Sequence, residues 1–315
     1  EKYNLFEQKH WVTNTMSAAP AFGISMHEGI AAFRIAKRDG MKYPEAYHTG
    51  AMALVEAYKK NMPPDSKSEV AQDDKRSAQN ALRIFTGHCE HYEPMGLKYP
   101  YVEVPFAMLL GQISLPPKIT STPPHPDSPL NVGVTSLEMR TVDVIYVGII
   151  DAIIEWQAVQ FVNDIKTTAW ILNQNWLDGF QMDQGMIGYT VAARELLGID
   201  TSRALIHGIW VSAPAKTAKG KKLDDYFHTK ELYWDESQLN EWRQNTLNTI
   251  QDIEMRKQDG KWSMAYNEAC NSFGMCPYRP VCSSPPGARE QLLTMDFHKA
   301  IWTPLEDERL QKIED

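Results

Sequence analysis

The stretch Val142-Asp143-Val144-Ile145-Tyr146-Val147-Gly148-Ile149-Ile150-Asp151-Ala152-Ile153-Ile154-Glu155-Trp156-Gln157-Ala158-Val159-Gln160-Phe161-Val162-Asn163-Asp164-Ile165-Lys166 decides the fold. Two apolar runs, Val142–Ile154 and Gln160–Lys166, are separated by a few polar or small residues, the pattern of a β-hairpin. With Trp156–Val159 as a four-residue loop, residue 155 faces 160, and the same register sets Asp151 opposite Asp164. Two carboxylates then share one face, about 5 Å apart at Cβ, where like charges destabilise a sheet unless a cation joins them. Lys166, two residues on, points to that face. The ordinary alternative is a surface Asp–Lys pair on a strand edge. Against it, Val162, Ile165 and Ile149–Ile150 embed these charges in buried-strand sequence, where unpaired charge is costly.

Converging carboxylate oxygens suit a hard divalent ion, Mg²⁺ or Mn²⁺, and a neighbouring lysine can hold an attacking water or the charge of a phosphorane. Gly148-Ile149-Ile150-Asp151 followed by Asp164-Ile165-Lys166 resembles the G-x-x-D and D-x-K motifs of the PD-(D/E)XK nuclease superfamily, most closely its RecB/Cas4-like branch, phage exonucleases included. Upstream, Gly23-Ile24-Ser25-Met26-His27 resembles the family's G-x-x-x-H helix, and Met26, Ile30 and Phe33 recur at helical spacing around it. Downstream, Gln184 and Tyr189 stand where the family carries Q-x-x-x-Y, although here they are five residues apart and two glycines interrupt the segment.

The resemblance implies a division of roles. Asp151, Asp164, the Ile165 carbonyl and His27 would hold one or two Mg²⁺ or Mn²⁺ ions, with the imidazole favouring Mn²⁺. Lys166 would position the water, while Gln184 and Tyr189 would steady the scissile strand.

A second constellation is Cys270-Asn271-Ser272-Phe273-Gly274-Met275-Cys276-Pro277-Tyr278-Arg279-Pro280-Val281-Cys282. Such a compact odd cluster points to metal thiolates rather than disulfides. Its closing half resembles the Cas4/AddB iron–sulfur motif, which implies a 4Fe–4S cluster, although the first spacing is wider than the family's C-x-x-C. Such a cluster takes four thiolates, and in the family one comes from ahead of the histidine helix, where this sequence has no cysteine. The expectation is that this ligand lies in residues outside the sequence. Cys89, in His88-Cys89-Glu90-His91, is the other candidate, its plain alternative being a loop thiol. A zinc site of three cysteines completed by histidine is the alternative chemistry.

At 315 residues and 43% hydrophobic, the chain can bury a sizeable core. A mean hydropathy of −0.42 without a long apolar run argues against a membrane span, so the expectation is a cytoplasmic protein of a bacterial or phage-infected cell. The net charge of −8 weighs against a generic nucleic-acid binder but not against a nuclease whose acids gather at metals. The dense basic run at Lys216, Lys219, Lys221 and Lys222 is either a solvated loop or a phosphate contact.

The expected fold is α/β, a PD-(D/E)XK restriction-endonuclease-like core with a mixed central sheet flanked by helices. Residues 1–100 form a helical N-terminal part carrying His27, with helices over 1–62, including Pro44–Lys60, and over 69–88. Residues 101–236 form the nuclease core, with a strand at Tyr101–Leu110, a proline-rich insertion over 112–138 and a strand at Ala204–Ser212. Glu103 reads as a further site acid or an exposed strand residue. Residues 237–315 hold a long polar helix, Ser237–Lys257, and the cysteine segment.

Three functions follow as expectations: a metal-dependent DNA exonuclease in recombination, repair or phage DNA processing; a structure- or site-specific endonuclease on the same core; or an inactive DNA-binding module. DNA is the expected partner, with a recombination or replication protein as a possible second.

Overall fold

The computed structural model describes residues 10–13, 18–62, 75–117, 139–212, 223–259, 270–271, 276–301, 303–306 and 310. Its strands are β1 (Trp11–Thr13), β2 (Lys98–Leu115), β3 (Arg140–Trp156), β4 (Val159–Thr168), β5 (Arg203–Trp210), β6 (Phe227–Tyr233) and β7 (Phe297–Lys299). Its helices are α1 (Ala18–Arg38), α2 (Tyr43–Asn61), α3 (Ala78–Tyr92), α4 (Gln174–Asp178), α5 (Gln184–Leu197), α6 (Glu236–Asp259), α7 (Arg279–Ser283) and α8 (Arg289–Asp296). The fold is mixed α/β: a five-stranded sheet ordered β2-β3-β4-β5-β6 is flanked by helices, and β1 pairs with β7.

The chain divides into two compact units whose boundaries fall inside β2, β3 and α6. One comprises Thr15–Ala107, Val147–Trp242 and Glu308–Asp315, and the other Glu1–Asn14, Met108–Tyr146 and Arg243–Asp307. Asp151, Asp164, Lys166, His27 and Tyr189 all belong to the first.

In that unit β3 and β4 are antiparallel, β4 and β5 parallel, and β5 and β6 antiparallel. The parallel pair requires a crossover, which α4 and α5 supply. Pro100 and Pro105 both fall in β2, an edge strand, the kind of strand to which proline is largely confined. The hairpin closes with Trp156 opposite Val159, so the turn is the two residues Gln157-Ala158 rather than four. Both adopt left-handed backbone, φ 51° and 64°, as a turn matched to the strand twist requires. Tightening the loop by one residue at each end leaves the register unchanged, and Glu155 still faces Gln160.

Helix α1 buries Phe22, Met26, Ile30 and Phe33, and packs closely on α2 because Gly29 and Gly50 face one another's backbone. A Cβ on Gly50 would lie 2.7 Å from the Gly29 carbonyl oxygen and 2.6 Å from the Phe85 ring. The apolar core then runs through α1, α2 and α3 to Ile165 and Ile209 of the sheet. Two N-terminal expectations shift: residues 11–13 are strand β1, not helix, and the third helix runs over Ala78–Tyr92, capped by Ser77. The expected insertion begins later, since β2 continues through residue 115, and residues 118–138 lie outside the described set.

A polar seam crosses this core. Arg34 is buried, donates from Nη2 to Asn163 Oδ1 at 2.6 Å and lies over the Tyr99 ring. Beside it the fully buried His207 stacks on Tyr92 at 4.0 Å between centroids, with His88 6.2 Å away. Burial, then the Arg34 charge, holds both imidazoles well below their ordinary pKa, so both are neutral. Among the described residues, no helix is long and apolar enough to cross a membrane.

Candidate active site

The hairpin pairing extends from Trp156↔Val159 to Ala152↔Asn163. One residue further, the Asp151 carboxylate takes the place of a backbone acceptor: its Oδ2 accepts the Ile165 N–H at 3.0 Å. The same oxygen is 3.2 Å from His27 Nδ1 of α1. On β4, Lys166 Nζ forms an ion pair with Asp164 Oδ2 at 2.7 Å. Helix α1 reaches this place because Gly23 lets it close onto β4, where a Cβ would stand 3.1 Å from Thr167 Oγ1.

Both carboxylates are shielded, with side-chain exposures of 15% for Asp151 and 5% for Asp164, and they titrate in opposite directions. Burial pushes Asp151 up, but the hydrogen bond and charge of His27 and the Ile165 N–H bring it below the usual carboxylate value. Asp164 is pushed up to about 6, first by burial and then by the Asp151 charge, with Lys166 only partly offsetting both. Two shielded acids pushed apart in this way make this group the candidate site. His27 is raised: burial lowers it most, and the hydrogen bond to Asp151 together with the Asp151 and Asp164 charges more than offsets that. Lys166 is raised likewise, burial being overcome by Asp164, then Asp151 and Asp183.

A cleft of about 370 Å³ opens over this group, lined by Gly23, Ile24, His27, Glu28, Glu103, Ile149 and Asp151. Glu103 is half-buried and lines this cleft. Its backbone, at φ 51°, is left-handed in the middle of β2, a conformation costly for a non-glycine residue and concentrated at functional sites.

Tyr189, on α5, packs edge-on against Phe106 at 6.0 Å and closes on Gly148, where a Cβ would lie 3.1 Å from the ring. Burial, then the Asp164 and Asp151 charges, raises its phenol and keeps it protonated. Gln184 is placed differently. It is the exposed first residue of α5, and five residues of helix set it roughly 140° around the axis from Tyr189.

Sequence reasoning passed over two acids. Asp183 caps α5 by accepting the Met186 N–H at 2.9 Å, and its charge acts on both Lys166 and Tyr189. An Asp immediately before an apolar helix is the signal that could have singled it out. Glu28 follows His27 into the cleft.

The cysteine segment belongs to the other unit. The Cys276 N–H donates to the Cys270 carbonyl at 2.9 Å, which brings the two backbones together, and the Cys282 N–H donates to the Tyr278 carbonyl. Cys276 and Cys282 pack partly buried against Tyr278, Val281, Leu293 and Phe297. No disulfide forms among the described residues. Cys89 lies elsewhere, in the apolar core of α1–α3, where burial raises its thiol far above the ordinary value; it is a protonated core thiol and not a loop residue. Among the described residues, no group of three or more His, Cys, Asp or Glu side chains is gathered closely enough to hold a metal as it stands. At the acids, His27 and Lys166 occupy the carboxylate oxygens instead. Lys216, Lys219, Lys221 and Lys222 lie outside the described residues.

No protein-family model matches the sequence, and no curated protein matches it.

Proposed function

We propose that this chain is a metal-dependent DNA exonuclease built on a PD-(D/E)XK-like core. The observation that carries the reading is the shielded pair Asp151 and Asp164, one depressed and one raised to about 6, with Lys166 at 2.7 Å from the second. The donor set fits a hard divalent ion: two shielded carboxylates at a cleft, and an imidazole on the helix beside them. The N–H and C=O of a strand residue point to the same edge, so the Ile165 carbonyl lies on the side from which its N–H reaches Asp151. Asp151, Asp164, the Ile165 carbonyl and His27 would therefore hold Mg²⁺ or Mn²⁺, with Glu103 across the cleft as a further oxygen donor. A bound ion supplies Lewis acidity at the phosphoryl oxygen and an acidified water.

The chain's own groups do the rest. Lys166 is protonated, and its ammonium orients the attacking water and neutralises charge on the pentacovalent phosphorus. Tyr189, a neutral phenol near both acids, donates to a phosphate oxygen of the scissile strand. Asp183 caps the helix that carries Tyr189. In the second unit, Cys270, Cys276 and Cys282 supply thiolates for an iron–sulfur cluster or, with a histidine, for zinc.

The test is cleavage of end-labelled linear DNA and covalently closed circular DNA in Mn²⁺. Degradation of linear DNA alone supports the exonuclease, nicking of the circle supports an endonuclease, and no cleavage of either by folded protein refutes both.

A further inference from the structure

From the end of β4 into α4 the chain runs Thr167-Thr168-Ala169-Trp170-Ile171-Leu172-Asn173-Gln174-Asn175-Trp176-Leu177, a stretch without a charged residue. Trp170 is 80% exposed there, an unusual state for the largest apolar side chain, and Ile171 beside it is 59% exposed. The backbone beneath is held: the Trp170 N–H donates to Thr168 Oγ1 at 3.1 Å, and the Thr168 carbonyl accepts the Val211 N–H at 2.7 Å. The indole is thus presented to solvent from a fixed base. Leu172 and Trp176 turn the other way, packing on Gly208.

Its position gives the exposure a meaning. Trp170 follows Lys166 by four residues, so the two Cα atoms are at most about 14 Å apart, within about four base steps at 3.4 Å each. A Cβ on Gly23 of the cleft wall would stand 3.1 Å from Thr167 Oγ1, and the loop leads into α4, which precedes the Tyr189-bearing α5. A ligand spanning the cleft and this loop meets acids and a lysine at one end, and an uncharged aromatic face flanked by the exposed amides of Asn173, Gln174 and Asn175 at the other. That sequence of chemistries matches a phosphodiester followed by a nucleobase.

We propose that Trp170 is a base-stacking platform, holding an unpaired base of the strand whose phosphodiester lies at Asp151, Asp164 and Lys166. The proposal rests on the nuclease reading and deepens it, since it commits the substrate to single-stranded DNA or to a duplex end that has frayed. Stacking on an aromatic ring tolerates every base, so the platform grips without reading sequence.

The experiment measures KM and kcat in Mn²⁺ on a single-stranded oligonucleotide, and on a series in which one abasic nucleotide is stepped inward from the cut end. Wild type should show KM raised at one register of the series. Trp170→Ala should raise KM on the intact strand by roughly five- to hundredfold, as for loss of one stacked base, with kcat nearly unchanged and no remaining sensitivity to abasic position. Trp170→Phe should retain most of the affinity, and both variants should melt with wild type. Cleavage by wild type that ignores abasic position, or an unaltered KM in Trp170→Ala, overturns the stacking role alone. A wild type that elutes as a concentration-dependent dimer while Trp170→Ala elutes as a monomer also overturns it, making the face a contact between copies. Absence of any DNA binding or cleavage by folded wild type overturns the nuclease reading, and the platform with it.

Discussion

Asp151 and Ile165 are joined by a hydrogen bond at the point where the hairpin stops pairing, the Asp151 carboxylate accepting the Ile165 N–H at 3.0 Å just beyond Ala152↔Asn163. A side chain thereby does the work of backbone, and β3 presents its acid to β4 without leaving a buried N–H unpaired. Asp164 has the Lys166 ammonium at 2.7 Å, which burial and the Asp151 charge outweigh. Its raised pKa, about 6 against an ordinary 3.8, means that ionisation costs the folded state as pH rises above 3.8, in full above 6. Asp164→Asn should therefore stabilise the protein at pH 7.5 by on the order of 2 kcal/mol in urea unfolding, while removing nuclease activity. A variant that loses activity and stability together would assign Asp164 a structural role.

The imidazole on Asp151 leads to a metal preference. His27 Nδ1 is 3.2 Å from Asp151 Oδ2, and a nitrogen donor suits Mn²⁺ better than Mg²⁺. Wild type should cleave DNA faster in Mn²⁺, and His27→Ala should narrow the Mn²⁺/Mg²⁺ rate ratio by about tenfold. Equal wild-type rates in the two metals, unchanged by the substitution, would leave His27 as a hydrogen-bond partner of Asp151 and nothing more.

The hairpin turn offers a stability gain. Ala158 sits at φ 64°, where an L-residue pays about 1 kcal/mol and glycine does not. Ala158→Gly should raise the unfolding free energy by several tenths of a kcal/mol, the relief being reduced by glycine's greater freedom in the unfolded chain. The turn lies away from the acids, so DNA cleavage should be unaltered. A lower melting temperature in this variant would show that the Ala158 methyl group is packed.

That turn also shows which features the sequence carries and which it conceals. The register is legible because alternation and apolar runs encode which residues face each other, and it is insensitive to whether the loop is two residues or four. The loop length is not legible, since Gln157-Ala158 lacks the Asn-Gly signal of a tight turn. Asp151, Asp164, Lys166 and His27 are legible as a group because their spacing is local to one hairpin and one helix. Glu103 and Asp183 are harder, one reaching the cleft through left-handed backbone inside a strand and the other serving first as a helix cap. The Arg34–His207 seam is invisible, because a basic residue in an amphipathic helix reads as surface until its tertiary partners are known.

That seam makes stability pH-dependent. His88 and His207 are neutral in the fold, with pKa well below 6.5, whereas in the unfolded chain they protonate near 6.5. The unfolded state therefore binds more protons as pH falls, and the stability that each histidine contributes above 6.5 is lost below it. Wild type should lose about 1.4 kcal/mol more per pH unit below 6.5 than His207→Asn, a difference that cancels the other titrating groups. Asparagine keeps an acceptor for Arg34, whose Nη2 is 3.5 Å from His207 Nδ1. Identical slopes for the two proteins would mean that His207 is protonated in the fold.

The last prediction concerns the cysteines. Cys270 and Cys276 are drawn together by a backbone hydrogen bond, and Cys276 and Cys282 are partly exposed on a small apolar cluster that includes Tyr278 and Phe297. So small a cluster gains folding energy from metal thiolates, whereas Cys89 is withheld by burial in another core. Anaerobically purified protein should be brown, with broad absorbance near about 400 nm. Cys276→Ser should bleach it and expose the C-terminal segment to proteolysis. Cleavage should then fall through instability, with the Mn²⁺ dependence of the residual activity unaltered, because the acids proposed to hold that metal are untouched. Zinc without iron would replace the cluster by a three-thiolate site completed by a histidine, and His88, buried in the core seam, is a poor choice for it. Colourless protein carrying neither iron nor zinc by elemental analysis would reduce Cys270, Cys276 and Cys282 to ordinary thiols.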